Sequence, residues 1–177
     1  MSRDLETIGS DVFYECRALV AMIFPDYLTS IGTGMLYYCY GLSQVVFSDS
    51  LTTIPERVCY YCYTLDAVTI PYGVTNIGHY AFHYCYALSE VSFPDTLEYI
   101  GEYAFCYCTA LREVRLPEGL TTLHRCVFQE YSFPVKQVTD FPATGESGVI
   151  YVSNVGEAKI WAGTSYIVNR AKFPQVS

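Results

Sequence analysis

The sequence predicts an α/β repeat solenoid of about six 23-residue rungs, followed by a small antiparallel β-meander. Three observations lead to this prediction. A similar block returns every 23 residues from Leu5 onward without one insertion. Within a block, apolar residues first follow helical spacing and then alternate. After Phe133 the block decays into a segment that is rich in turn residues. We therefore expect a repeat solenoid over residues 1–140, and a linker with a small β-meander over residues 141–177.

Each block has the pattern of one helical turn followed by one short strand. The fourth block carries its apolar anchors in steps of four, four and three residues: Ile77, Ala81, Cys85 and Leu88. That spacing predicts one face of a short helix. The alternating run that follows predicts a strand with one buried face, which ends at Pro94. Neither half can bury its apolar face alone, so stacked blocks must share a continuous core.

The block resembles the BspA-type leucine-rich repeat, whose pattern is Leu-x-x-Ile-Gly-x-x-Ala-Phe-x-x-Cys-x-x-Leu-x-x-Val-x-x-Pro. The fourth block matches this pattern at Ile77, Gly78, Ala81, Phe82, Cys85, Leu88, Val91 and Pro94. The resemblance covers about residues 5–140. It implies a surface protein of bacteria or protists that is linked to adhesion, and therefore binding rather than catalysis.

The C-terminal segment predicts three short strands joined by turns that contain glycine. They are expected near Val149–Val152, Ala158–Trp161 and Ser165–Val168. The segment also resembles a small module that recurs in phage tail and tail-fibre proteins, on Thr144, Gly145, Glu146, Ile150, Tyr151, Val152, Trp161, Gly163 and Tyr166. This second resemblance implies that the chain is part of a phage or prophage particle.

Composition and charge exclude several classes of protein. The chain has 177 residues, is 51% hydrophobic and 16% charged, and is therefore not expected to be disordered. The longest apolar run, Ala18 to Phe24, is too short to span a membrane. A net charge of −8 argues against nucleic acid or an anionic membrane surface as partner. The N-terminal residues lack the apolar stretch of a signal peptide. We expect a virion or extracellular surface location, with the cytoplasm as the alternative.

Five of the eight cysteines recur at intervals of 23 residues, at Cys16, Cys39, Cys62, Cys85 and Cys108. The period places them in one inward slot of successive rungs, where Cys packs as a small apolar group. We expect free thiols in the core. Disulfide pairing between rungs is not excluded by the rung spacing, since neighbouring Cα atoms would lie about 5 Å apart. A zinc site would need four converging ligands, and the repeat register already explains these positions.

The sequence offers no catalytic constellation. The three histidines, His79, His83 and His124, lie in no nucleophile–base pattern, and His83 is expected on the solvated surface. The acidic residues form neither a glycosidase pair nor a calcium loop. We therefore predict that the protein is not an enzyme and needs no cofactor and no metal.

Tyrosine recurs at neighbouring slots of the repeat, so stacked rungs should turn these residues into stripes. Tyrosine combines contact area with a polar tip, which suits a recognition surface. Stacking of adjacent rings in a purely structural role is the other interpretation. The candidate binding stripes are Tyr38, Tyr40, Tyr61, Tyr63, Tyr84, Tyr86 and Tyr107.

The outward residues of the predicted strands form a second candidate surface. Leucine-rich repeats commonly bind on this face, which is an implication of the resemblance. The exposed pair Ile23 and Val46 would make an adhesive apolar patch. The candidate binding residues are Ile23, Gln44, Val46, Thr69, Glu90, Ser92, Glu113 and Arg115.

Together these observations predict a non-enzymatic binding or adhesion module, which recognises a host-cell surface protein or glycan as part of a phage or prophage particle. The alternative is a structural, self-assembling component, a spacer or coat, whose Tyr stripes mediate packing between subunits. The first rung has no polar capping segment, so we expect self-association or a larger assembly.

Overall fold

The computed structural model describes residues 5–111, 114, 116–117, 119–123 and 127–128, and the backbone of four C-terminal strands. The repeats form a solenoid of about four turns, in which short strands of successive rungs lie side by side. In chain order the solenoid strands are β1 (Thr7–Ile8), β2 (Ala21–Ile23), β3 (Ser30–Ile31), β4 (Gln44–Val46), β5 (Thr53–Ile54), β6 (Ala67–Thr69), β7 (Asn76–Ile77), β8 (Glu90–Ser92), β9 (Tyr99–Ile100) and β10 (Thr122–Leu123).

Every strand pair of the solenoid is parallel and joins residues that are 23 apart in the chain. The three-residue strands form one sheet in the order β2-β4-β6-β8, which we call sheet 1. The two-residue strands form the β1–β3 pair and the order β5-β7-β9-β10. In β4, β6 and β8 the central residue is buried and both neighbours are exposed. This pattern confirms the prediction of a strand with one buried face.

The core consists of columns in which one slot of the repeat meets its counterpart in the next rung. Leu28, Leu51, Val74 and Leu97 occupy the opening slot and are at most 1% exposed. Their counterpart in the first rung, Leu5, is 57% exposed. The difference shows that burial comes from the rung stacked on the N-terminal side and not from the rung itself, as a solenoid requires.

The prediction of a helical turn in each block is wrong, because the segment between the strands is a series of β-turns. In the second rung, Tyr37 N–H donates to Gly34 O at 3.0 Å and Cys39 N–H to Leu36 O at 3.2 Å. The N–H groups of the neighbouring Leu36 and Tyr38 donate to the next rung, to Val58 O and Tyr60 O, each at 2.9 Å. Hydrogen bonds to the next rung therefore replace those of a helix. Within the part of the chain that the structure describes, no helix is long and apolar enough to cross a membrane.

Left-handed backbone at two slots of each rung explains why no helix forms. The φ angles of these residues lie between 55° and 64°, at Asp11, Gly34, Arg57, Tyr80 and Tyr103 and at Glu15, Tyr38, Tyr61, Tyr84 and Tyr107. A right-handed helix cannot include such residues. The steps of four, four and three residues bring the apolar side chains to the core through these turns.

The C-terminal strands are β11 (Val135–Val138), β12 (Ile150–Ser153), β13 (Glu157–Trp161) and β14 (Tyr166–Lys172), in that order in one sheet. The pairs β12–β13 and β13–β14 are antiparallel, and these strands lie at the three segments where the sequence predicted a meander. The parallel strand β11 was not predicted. The predicted linker, residues 141–148, lies outside the described residues, and the boundary at residue 140 stays a prediction.

Candidate binding surfaces

The outward side of sheet 1, which we call the sheet face, is the first candidate surface. Its residues are exposed side chains that flank the buried centre of each strand: Ala21, Ile23, Gln44, Val46, Ala67, Thr69, Glu90 and Ser92. Ile23 is 67% exposed and Val46 43% exposed. The six predicted residues of this face that the structure describes therefore point outward, and their role in binding stays a prediction. Glu113 and Arg115 lie outside the described residues.

A groove of about 530 Å³ crosses the sheet face at β4 and β6. Val46 and Ala67 contribute apolar side chains to its lining, while Gln44, Thr69, Asp49 and Asp66 contribute polar groups. The sequence analysis proposed Gln44, Val46 and Thr69 but missed both aspartates. Asp66 immediately precedes β6 and Asp49 follows β4 by three residues. Strand alternation gives no signal for either residue, because both lie beyond the strand ends.

The second candidate surface consists of three tyrosine columns that run from rung to rung on the turn side. In column 2, rings of adjacent rungs are stacked with centroids 4.5–4.9 Å apart and planes within 16°. Columns 1 and 3 show the same stacking at 4.7–5.5 Å. Column 1 is Tyr14, Tyr37, Tyr60 and His83, column 2 is Tyr38, Tyr61, Tyr84 and Tyr107, and column 3 is Tyr40, Tyr63 and Tyr86.

Stacking occupies the ring faces that a ligand would need. Tyr61 lies between Tyr38 and Tyr84, so both of its faces are covered. Tyr60 makes an edge contact with Tyr61 at 4.5 Å, which joins column 1 to column 2. Only ring edges and hydroxyl groups of the inner tyrosines remain for a ligand. Burial raises the pKa of the hydroxyls of Tyr60 and Tyr84, so these groups are neutral phenols at neutral pH.

The tyrosines of column 2 combine this stacking with left-handed backbone. Each has φ between 60° and 62° in the three rungs that hold Tyr38, Tyr61 and Tyr84. A bulky residue is strained there by about 1–2 kcal/mol. Stacked aromatic pairs contribute about 0.5–1.5 kcal/mol each beyond the area that they bury. The two stacked neighbours of an inner tyrosine therefore offset its backbone strain, which gives the columns a structural role.

The cysteine slot forms a ladder of hydrogen bonds through the core. Each thiol donates to a carbonyl of the preceding rung, at 3.1–3.3 Å, in four rungs: Cys39 to Phe13 O, Cys62 to Leu36 O, Cys85 to Cys59 O and Cys108 to Phe82 O. Burial raises the pKa of Cys39 to about 12, and that of Cys85 well above the usual value, so the thiols keep the proton that they donate. The seven described cysteines are free. Among the described residues, no group of three or more Cys, His, Asp or Glu side chains is placed to hold a metal.

His83 occupies the fourth position of column 1, and the prediction that it is solvated is wrong. The side chain is 6% exposed and stacks on Tyr60 at 4.9 Å, with an interplanar angle of 15°. Its Nδ1 is buried and has no hydrogen-bond partner among the described residues. Burial lowers the pKa of His83 to about 4. The rings that surround it, and that the sequence could not place, are Tyr60, Tyr80, Tyr84, Tyr103 and Tyr107.

The repeats match a known family of leucine-rich repeats. The family described as "BspA type Leucine rich repeat region" matches in six copies, over residues 1–87 and 75–171. These matches together cover nearly the whole chain. None of the curated proteins matches the chain at a significant level.

Solved structures of bacterial leucine-rich repeat proteins resemble the fold. A leucine-rich repeat protein from Eubacterium ventriosum is 28% identical with a TM-score of 0.70, over 84% of this chain and 39% of that protein. The leucine-rich repeat protein of T. pallidum is 28% identical with a TM-score of 0.65, over 71% of this chain and 61% of its own. A protein from Bacteroides ovatus is 28% identical with a TM-score of 0.55, over 81% and 45%. The chain thus spans less than two thirds of each of these proteins.

Proposed function

Since the chain belongs to the BspA type leucine rich repeat family, we propose that it is a non-enzymatic module that binds a partner protein through the sheet face. The observation that carries this proposal is the groove on β4 and β6, which lies among exposed apolar strand residues. Concave sites that combine an apolar lining with a few polar groups are the usual places where proteins bind ligands.

The sheet face is a better binding surface than the tyrosine columns for a geometric reason. Val46 and Thr69 are exposed side chains with no aromatic or polar partner across the rungs in the described structure. The inner tyrosines, by contrast, have their ring faces stacked on their neighbours. A partner that docks on the sheet face removes apolar surface from water without displacing an existing contact.

The setting of this binding is a further part of the proposal. Adhesion to a host-cell surface protein or glycan is what the resemblance to BspA-type repeats implies for this binding. A phage or prophage particle is supported only by the resemblance of the C-terminal segment, on residues such as Trp161 and Tyr166. A virion or extracellular surface location follows from these two settings, and the cytoplasm is the alternative location.

Self-association into a spacer or coat is the second candidate function, and one observation favours it. In the first rung Leu5 is 57% and Val12 51% exposed, while Leu28 and Met35 in the same slots of the second rung are fully buried. A second copy that stacks on this rung would bury the same residues and would pair the open edge of β2. Light scattering over a range of protein concentrations measures such an assembly.

The test of sheet-face binding uses a display library of random linear peptides selected on the wild-type chain. Ala67→Gln fills the groove, since Ala67 is an exposed residue of its lining. Ala21→Gln is the matched control, because Ala21 occupies the same slot on β2 and does not line the groove. Tyr84→Ser tests the columns. We expect selected peptides to bind Ala67→Gln at least about tenfold more weakly than wild type, and to bind the other two variants normally.

Other outcomes would overturn the proposal. Loss of binding in Tyr84→Ser alone would move the site to the tyrosine columns. Equal binding by Ala67→Gln and Ala21→Gln, or no enriched peptide, would remove the groove as a protein-binding site. Circular dichroism of each variant establishes that the fold is retained.

A further inference from the structure

We infer that the groove on β4 and β6 takes an extended partner segment in which basic side chains flank apolar ones. This inference rests on the proposed function and names the chemistry of the partner. It follows from the position of the acidic residues on the sheet face and from the absence of basic residues among the described residues of that face, which together select a cationic occupant.

The two aspartates of the groove stand at its opposite ends. Asp66 precedes the first residue of β6, and Asp49 follows the last residue of the adjacent strand β4. Both side chains are exposed, and neither carboxylate has an ion pair or hydrogen bond among the described residues. The apolar lining from Val46 and Ala67 lies between them. The groove therefore presents negative charge, then an apolar floor, then negative charge along the strand direction.

The charge of the surroundings has the same sign. Residues 5–111 contain eleven acidic residues and two arginines. Arg17 is paired with Glu15 at 3.0 Å and lies over the ring of Tyr40, and Arg57 is paired with Glu56. Both arginines thus belong to the turn side. The described sheet face has no basic residue, so its acids are not neutralised from within the solenoid.

An adjacent acid extends the negative rim by one rung. Glu90 is the register partner of Ala67 on β8, and its side chain is exposed. A cationic side chain over Ala67 would therefore meet Asp66 in its own rung and Glu90 in the next. An extended segment places residues i, i+2 and i+4 on one face, so basic, apolar and basic residues at these three positions reach the two acidic ends and the floor together.

The experiment measures the dissociation constant of a synthetic Lys–Val peptide, in which Lys, Val and Lys stand at positions i, i+2 and i+4 with Ser between them, and a Gln–Val peptide of the same pattern and length is the reference. The test variant is the double substitution Asp49→Asn with Asp66→Asn. The matched control is Asp26→Asn with Asp95→Asn, because these residues share the slot of Asp49, are exposed, and lie outside the groove. Both doubles change the net charge equally. We expect the Lys–Val peptide to bind the test variant about tenfold more weakly than wild type, and the control nearly as well as wild type.

Four results would overturn the inference. Equal weakening in both double variants would show attraction to the overall charge alone. Equal affinity of the Gln–Val peptide would show a purely apolar site. Absence of Lys–Val binding would remove the cationic occupant. Random-library peptides that depend on Ala67 but lack basic residues would sink this inference and leave the proposed function intact, so the two failures are distinguishable.

Discussion

The turn side and the sheet face arise from the same 23-residue repeat, yet they use it differently. On the turn side the same slot holds Tyr38, Tyr61 and Tyr84, and each ring reaches its counterpart one rung away. On the sheet face the corresponding slot holds Ile23, Val46 and then Thr69, which grow more polar from rung to rung. Uniform long side chains bind the rungs to one another, whereas short varied ones remain available to a partner.

The comparison implies that substitutions on the two sides have opposite consequences. A change on the turn side should lower the free energy of unfolding and leave binding unchanged. A change at an exposed sheet-face position, such as Ala67→Gln, should weaken binding and leave stability nearly unchanged, since exposed positions contribute little to folding. Substitutions at three sites test the turn side, from the site with the largest expected effect to the site with the smallest.

Gly78→Ala should have the largest effect, because the rungs approach most closely where the turn begins. A Cβ at Gly78 would lie 2.5 Å from Glu56 N and 2.9 Å from the backbone carbon of Pro55. These are backbone atoms that cannot move aside, so we expect a loss of roughly 2–3 kcal/mol of unfolding free energy in a urea titration.

The matched control for this prediction lies in the first rung. Gly9 occupies the same slot as Gly78, and a Cβ there would meet nothing within 4 Å. Gly9→Ala should therefore leave the urea midpoint close to that of wild type. If both variants were equally destabilised, the cause would be backbone conformation at glycine and not the approach of the rungs. The slot also holds Pro55 in the third rung.

Tyr61→Ala should cost roughly 1–2 kcal/mol, because it removes two stacked neighbours and keeps the left-handed backbone. Tyr61→Gly removes the same ring but relieves the backbone strain, so it should be about 1 kcal/mol more stable than Tyr61→Ala. Chemical denaturation of both variants measures the difference.

Tyr61→Phe separates the ring from its hydroxyl. It keeps both stacks and should unfold close to wild type, while the peptides selected on the sheet face should bind all three Tyr61 variants normally. A large loss of peptide binding in Tyr61→Phe would contradict the division between a structural turn side and a binding sheet face.

The features that repeat in the sequence could be predicted, whereas the features that depend on the sign of the backbone φ angle could not. The period placed Cys85 inside and Val46 outside, because each slot keeps one orientation in every rung. The turn segment was predicted as helical because Ile77, Ala81 and Cys85 have helical spacing. Positive φ at non-glycine residues leaves almost no trace in the sequence. Gly34 was the one hint, because glycine readily adopts positive φ. Its counterparts in the other rungs are Asp, Arg and Tyr, so the hint does not recur along the repeat.

The candidate site was predicted in part for a related reason. Alternation along a strand identified Gln44, Val46 and Thr69, since alternate residues share a face. Asp49 and Asp66 lie beyond the strand ends, where orientation depends on how the chain turns. The burial of His83 depends on rings from several rungs, and no local pattern specifies that enclosure.

His83 offers the smallest and most specific test of the turn side. Burial lowers its pKa from 6.5 to about 4, so the unfolded chain binds a proton between these values and the folded chain does not. Stability is therefore fully present above pH 6.5 and is lost as the pH falls toward 4, by about 1 kcal/mol in the first unit of pH. His83→Tyr places a tyrosine in this slot, which Tyr37 and Tyr60 occupy in the preceding rungs. Between pH 6.5 and 5.5 the unfolding free energy of this variant should fall by about 1 kcal/mol less than that of wild type. Parallel acid titrations of the two proteins would reveal it, since carboxylates and the surrounding tyrosines are common to both. Identical pH profiles would mean that the imidazole is hydrated in solution and that column 1 is open at its fourth position.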